Sequence, residues 1–500
     1  MKKNVLRLLG AGCLAFMLQS CGDDFLVEQP SEFINSDQIE EFIEVSTSLQ
    51  EGTVNGLYVT MFTTQTGGTT GHDDFGQRGY DLFADFLTSD VALSVSTYGW
   101  YRSSITEYQA TQDFTFTDNY QVWRYYYRVV NEANLVIQGI GGNDADPEGV
   151  EARAALGQAF AMRAYAYYHL VAYLTRDYNP SEEALPIYTE PGFEGKPKST
   201  VGEVYELMES DLTRAIDLLD GFVRNNKVKI NQPIAKGMLA YVIASTRSRW
   251  DEVAQLTAEA MAESGTSLMS SNPNDPNGIF GGFNNVSNPS WLWGVDLNTD
   301  TNIGLVSWWG QMDYFSYSYA AVGDYKCIDE ALWNSMRPDD LRRIQFDGGG
   351  YPLQPTLKFY DENRVFFGAS QIVQADYVYM RYAELHLLNA EALAKAGQEG
   401  PARDQLKILV ENRLSSGDAS YIDSLSGQDL IDEIYFQTRV ELWGEGKTYH
   451  AMRRNQKAHT RGQNHLSFVG ETIAYDEERM TFEIPLQEIQ DNLFINSQNQ

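Results

Sequence analysis

Arg381-Tyr382-Ala383-Glu384-Leu385-His386-Leu387-Leu388-Asn389-Ala390-Glu391-Ala392 is the stretch whose reading decides the fold. It is rich in Ala, Leu and Glu and free of Gly and Pro, so it predicts a helix over 378–396 that stops at Gly397. Glu384 and Glu391 are seven residues apart and share one helix face. Their rise of about 10.5 Å exceeds the ~5–5.5 Å separation of a retaining glycosidase pair. Ion pairing to neighbouring helices is therefore their expected role, and no catalytic residue is assigned.

Outward from this helix the same signals recur. Toward the C-terminus, segments 401–414 and 428–443 are bounded by Gly400-Pro401, Gly417 and Gly444. Upstream, Leu156, Phe160, Tyr167, Leu170, Val171 and Leu174 form an apolar stripe that predicts an amphipathic helix over 151–174. Thr200 with Glu203 three residues on forms a capping box that opens a helix running to Leu219. Ala-rich helices follow at 232–248 and 250–264. Pairs of this size are tetratricopeptide-like, but the period is not a clean 34 residues, so the array is irregular. Residues 63–118 and 265–376 break the pattern with Gly, Asn, Asp, Thr and aromatics, and Trp291–Asp296 and 365–367 are the strand candidates. The expected fold is mainly α, with helical pairs, long irregular loops and a few short strands. An N-terminal helical part over 36–264 would carry the 63–118 insert, and a C-terminal part over 265–500 the variable region 265–376.

The 500 residues include 37 Lys+Arg and 69 Asp+Glu, a formal charge of −32. That balance argues against nucleic acid, whose binding is driven by cations displacing counterions. Lys2, Lys3 and Arg7 precede an apolar run from Leu8 to Leu18 that is too short to span a bilayer, so residues 1–20 read as a secretory signal peptide. Leu18-Gln19-Ser20-Cys21 resembles a bacterial lipobox, with Gln19 a polar departure, and makes Cys21 the lipidation site. Residues 21–35 would be a tether, and acylation of Cys21 would hold the protein on a membrane. Gly22-Asp23-Asp24 resembles the export tag of surface lipoproteins in glycan-scavenging Gram-negative bacteria, which implies an outer-membrane protein facing the exterior. Cys13 leaves with the signal and Cys21 takes lipid, so Cys327 stands alone without a disulfide, as a buried filler.

Several motifs occur in order. They are Cys21-Gly22-Asp23-Asp24-Phe25-Leu26 with Pro30, Met162-Arg163-Ala164-Tyr165, Ser199-Thr200-Val201-Gly202-Glu203 with Asp211-Leu212, the 381–392 stretch, Arg439-Val440-Glu441-Leu442-Trp443-Gly444-Glu445-Gly446, and Phe482-Glu483-Ile484-Pro485. Together they resemble the SusD/RagB family over nearly all of the mature chain. Gln437-Thr438, Thr448 and Ala451 depart from its charged pattern. The resemblance implies a SusD-like α-α superhelix and a surface lipoprotein that is not an enzyme. Such a protein captures oligosaccharide or polysaccharide and acts as the hinged lid of a SusC-type TonB-dependent transporter. A peptide-capturing protein of the RagB branch is the alternative within the same architecture, and a hydrolase is the third reading.

Sugar binding needs exposed aromatic faces beside planar hydrogen-bonding groups. The first candidate cluster is Tyr98, Trp100, Tyr101 and Arg102. The second is Trp308, Trp309, Gln311, Asp313 and Tyr314. Tyr125–Tyr127 and Tyr165–Tyr168 lie on expected helices and read as core. Gly444-Glu445-Gly446-Lys447-Thr448 fails as a phosphate loop because Glu441 replaces its first glycine, and the six histidines form no zinc motif. No cofactor is expected. Asp296, Asn298, Asp300 and Asn302 alternate as a calcium loop does, but lack its Gly and terminal Glu, so calcium is at most an option there.

Overall fold

The computed structural model describes residues 47–192, 194–361 and 372–499. The signal peptide, Cys21, the tether and the strand expected at 365–367 lie outside the described residues.

Helix α1 (Thr47–Thr60) leads through a glycine-rich loop to α2 (Gln77–Leu87), strand β1 (Val91–Ser96), α3 (Thr117–Gly139) and α4 (Val150–Leu174). A short β2–β3 pair (Glu183–Leu185, Ser199–Thr200) precedes α5 (Val201–Leu218), α6 (Gln232–Ser245) and α7 (Trp250–Ser264). There follow β4 (Trp291–Val295), α8 (Trp308–Met312), β5 (Asp324–Ile328), β6 (Tyr377–Arg381), α9 (Tyr382–Lys395), α10 (Glu399–Arg413), α11 (Gly427–Glu441) and α12 (Thr448–Arg454). Consecutive helices pack on one another from α3 to α7; α7 then packs on α9, which also receives α10 and α11. The fold is mainly α, as the sequence predicts. The Thr200 box is formed, with Glu203 N donating to Thr200 Oγ1 at 3.2 Å and Thr200 N to Glu203 Oε2 at 2.7 Å.

Three features differ from the sequence reading. Helix α4 is not amphipathic: from Ala154 onward almost every residue is buried, because α1, α3 and α5 surround it. Even Gln158 is interior, accepting from Tyr58 Oη at 2.6 Å. Helix α2, inside a stretch expected to be irregular, is buried on every side, and its polar residues face partners rather than water. Gln77, Arg78, Asp81 and Asp85 fall on one face, and that polar stripe is turned inward, where Arg78 and Gln77 both bond Asp81 at 3.0 and 2.9 Å. The front of the predicted 378–396 helix is strand β6, whose Tyr377-Val378-Tyr379 run suits a sheet and pairs antiparallel with β4. The two irregular stretches also meet each other, because β1 pairs antiparallel with β5, Val91 opposite Ile328 and Ser96 opposite Asp324.

Buried charge clusters lock these elements. Glu441 accepts from Arg381 at 2.9 Å, from Arg413 at 2.8 and 2.9 Å and from Arg342 at 3.2 Å. Glu445 accepts from Arg381 at 2.7 Å and from Lys358 at 3.1 Å. Gln437, one of the departures from the family pattern, accepts from Arg342 at 2.6 Å and leaves no charge unpaired. Glu391 pairs with Arg454 (2.7 Å) and Lys395 (3.0 Å), and Glu384 lies 3.3 Å from Lys447. Cys327 is buried in β5, and burial pushes its thiol up to about 12.

Burial alone would raise Glu391, yet Arg454 and Lys395 outweigh it and hold its carboxyl at about 2. An unfolded carboxyl titrates near 4.3, so Glu391 contributes about 3 kcal/mol that is complete above that pH and lost as pH falls toward 2. Urea unfolding at pH 6 and pH 3 should show Glu391→Gln less stable by ~3–5 kcal/mol at the higher pH, with a smaller loss on acidification than the parent. An unchanged acid slope would assign that slope to other groups.

Candidate ligand-binding surface

The loop after β1 is held from below. Asp324, fully buried at the head of β5, accepts at Oδ1 from Thr97 N (2.6 Å) and Tyr98 N (2.9 Å). Gly323 at φ +111° lets Thr97 approach, since a Cβ there would sit 2.3 Å from Thr97 Oγ1. The chain then turns at Gly99 (φ +90°), leaving Tyr98 56% exposed and Trp100 half-buried. Tyr101 and Tyr108, both in the left-handed region, bracket a π-helical turn from Arg102 to Thr106. Such backbone costs about 1–3 kcal/mol per residue and persists because burial over-determines it. Tyr101 is wedged against Phe83 and Phe86, ring centroids 5.6 and 5.2 Å away.

Two residues that the sequence did not single out complete the surface. The His72 ring stacks parallel on Trp100 at 4.9 Å, and its Nδ1 lies 2.5 Å from the Tyr319 hydroxyl. Tyr319 in turn meets Tyr98 edge-on at 5.1 Å and Trp100 at 6.0 Å. Burial lowers the His72 pKa, so its imidazole is neutral at pH 7. The result is a four-ring platform from three separate segments, in which Tyr98 is exposed, Trp100 and His72 are half-buried and Tyr319 is buried as their support. Among the described residues, 62–64 and 301–306 line a cleft of about 350 Å³, and none of them carries a charge.

The first predicted cluster is thus divided. Tyr98 and Trp100 belong to the platform, Tyr101 is core, and Arg102 is exposed with its Nε 3.0 Å from Glu107. The second cluster does not form an open surface. Trp308 (2% exposed) packs on Phe359 at 4.6 Å under the Arg78 guanidinium, and Trp309 (1%) donates from Nε1 to Ala375 O at 2.8 Å. Gln311 lies under the platform, donating to His72 O at 2.9 Å while Lys326 Nζ donates to its Oε1 at 2.7 Å. Asp313 is buried and caps the loop, accepting from Phe315 N, Ser316 N and Asp361 N at 2.9–3.1 Å. Tyr314 is half-buried against Phe315. These side chains seat the inserted loop on the body, which removes their faces from solvent. At the suggested calcium loop, Asn298 Oδ1 accepts from Asp300 N (2.9 Å) and Thr301 N (3.3 Å) as a cap. Among the described residues no three His, Cys, Asp or Glu side chains converge as metal ligands.

A family model described as starch-binding and associating with the outer membrane matches residues 67–243, and a SusD family model matches residues 336–492. The chain belongs to the SusD/RagB family. Solved SusD-family folds agree over the whole body. A SusD-like carbohydrate binding protein from Bacteroides vulgatus is 24% identical, with a TM-score of 0.75 covering 90% of this chain and 97% of that one. A SusD superfamily protein from Bacteroides thetaiotaomicron is 21% identical, with a TM-score of 0.73 covering 91% and 100%. SusD-like protein P25 of Formosa agariphila is 28% identical over 178 residues, which span 36% of this chain and 30% of that protein. In this SusD/RagB chain the platform is built on the edge where the two inserts pair.

Gly323→Ala should push Thr97 off its Asp324 anchor and destabilise the protein by about 1–2 kcal/mol. Thermal melts read the stability, and faster amide exchange at Thr97 and Tyr98 reads the loop; full protection there would show that the glycine is dispensable.

Proposed function

We propose that this SusD/RagB protein is a surface lipoprotein that captures glycan on the Tyr98–Trp100–His72–Tyr319 platform and passes it to a SusC-type TonB-dependent transporter. The observation that carries the reading is the platform itself. Aromatic faces match the C–H faces of sugar rings, and these rings are fixed before any ligand arrives. Family membership supports a carbohydrate-binding, outer-membrane-associated role. The lipobox-like Leu18-Gln19-Ser20-Cys21 supports a lipid anchor, and no helix among the described residues is long and apolar enough to cross a membrane. Glu384 and Glu391, the carboxylate pair a hydrolase would need, are buried in ion pairs.

Trp100→Ala should weaken glycan binding by about 1.5–3 kcal/mol, roughly ten- to hundredfold in Kd by calorimetry, with the melting temperature nearly unchanged. Equal loss of stability and binding would make the ring structural. Saturable binding of peptides with no glycan bound would favour peptide capture instead. Cys21→Ala should move the protein from the membrane to the soluble fraction of cells, and retention in the membrane fraction would refute the anchor.

A further inference from the structure

The charge around the platform bears on which glycans it accepts. A polysaccharide carrying carboxylate or sulfate groups needs Arg or Lys side chains free to pair with them. Among the described residues, the basic groups of the loops that build the platform each have a partner of their own. Arg102 is tied to Glu107 at 3.0 Å, and Arg124, beside Gly68, lies over the Tyr120 ring at 5.8 Å. Lys326 is buried, bonds Gln311 and lies over Tyr101, so its ammonium does not reach the surface. The histidine of the platform is neutral at pH 7.

Two buried charges of opposite sign stand behind the rings, the Asp324 carboxylate and the Lys326 ammonium, so no net positive charge faces a ligand from below. Asp324 sits directly beneath Tyr98, fully buried, and its Oδ2 has no hydrogen-bond partner to disperse the charge. After burial, that charge is among the causes that raise the Tyr319 hydroxyl pKa, so it is felt at the platform's centre. In a low-dielectric wall the two charges act on each other with little screening and largely offset one another at the surface. The described residues that line the 350 Å³ cleft are also uncharged, and the whole chain carries −32.

Resting on the glycan-binding reading, we infer that the platform selects uncharged glycans and rejects polyanionic ones such as uronate-rich or sulfated polysaccharides. Recognition then comes from ring faces and neutral hydrogen bonds, and salt should leave it almost untouched. The test uses the folded, lipid-free chain and matched polymers: β-glucan, α-glucan and galactomannan, each also as its carboxymethyl derivative, with alginate and polygalacturonate as natural polyanions. At least one uncharged polymer should bind, with Kd changing less than about twofold between roughly 50 and 500 mM NaCl. Its carboxymethyl derivative should bind at least ~tenfold more weakly at the low salt and recover part of that loss at the high salt. Trp100→Ala should weaken the uncharged binding by the same roughly ten- to hundredfold; an unchanged Kd would place the binding elsewhere and would overturn the charge argument for this site.

Equal or tighter binding of the derivative, or binding of alginate or polygalacturonate alone, would overturn the inference while leaving glycan capture standing. Binding of no polymer in either form would take down the glycan reading itself, and this inference with it.

Discussion

Everything at the working edge of this protein hangs on the burial of the Glu441 carboxylate among Arg342, Arg381 and Arg413. A charge in such a place costs several kcal/mol unless its partners are all present, so the cluster forms as a unit or not at all. Its members come from the turn at 341–346, from β6, α10 and α11, and so their relative positions are fixed together. The consequences run in two directions. The loop after Glu441 carries Trp443, whose Nε1 donates to Asp90 O at 2.7 Å, while Arg439 grips the Asp90 carboxylate at 2.6 Å. Asp90 immediately precedes β1, the strand that presents Tyr98 and Trp100. On the other side Arg381 ends β6, whose Tyr377 hydroxyl accepts from Trp308 N, and the helix that Trp308 begins places Gln311 under His72. Both halves of the platform thus trace back to one buried carboxylate.

That dependence explains what the motifs of the family encode. Arg163 of the Met162-Arg163 motif pairs with Asp211 of the Asp211-Leu212 motif at 2.7 and 2.8 Å, in the interior between α4 and α5. Arg381, Glu391, Glu441 and Glu445 play the same role further on. The recognisable residues are those that hold the body together, so they identify the fold without naming a ligand. Departures are tolerated where the new side chain still satisfies its buried neighbour. Gln437 replaces a charge yet accepts from Arg342, and Thr448 meets Thr88 hydroxyl to hydroxyl at 3.2 Å.

The helices with caps and apolar stripes were legible because their determinants are local: Thr200 and Glu203, or Gly397 after the α9 run. Helix α2 was not, although Gln77, Arg78, Asp81 and Asp85 fall on one face, because it is short and set in a stretch rich in Gly, Asp and Thr, and its polar face is turned into the protein. The site divided along the same line. Tyr98-Gly99-Trp100 and Trp308-Trp309-Gly310 look alike as aromatic pairs next to glycine, and nothing local distinguishes them. What separates them is distant: Ala375, Tyr377 and Phe359 close over the tryptophan pair, whereas the first cluster sits at the end of a two-stranded ribbon where Tyr98 stays more than half exposed. His72 and Tyr319 escaped for the converse reason, since each is ordinary in its own segment and becomes part of a surface only when the segments converge.

The way the platform is held also limits how it can work. Trp100 is stacked on an imidazole that is itself held by the Tyr319 hydroxyl and, through its backbone, by Gln311. The loop that carries it is pinned by two amides on Asp324 and by a strained tyrosine on each side of the π-helical turn. Little conformational entropy remains to be lost when a ligand lands on such rings, so a small contact area can suffice for useful affinity. A rigid, shallow, uncharged face discriminates poorly between sugars of similar shape, because ring faces differ little and neutral hydrogen bonds are few. On the proposed glycan-binding reading, selectivity beyond charge would come from the rim, where Tyr98 is more than half exposed.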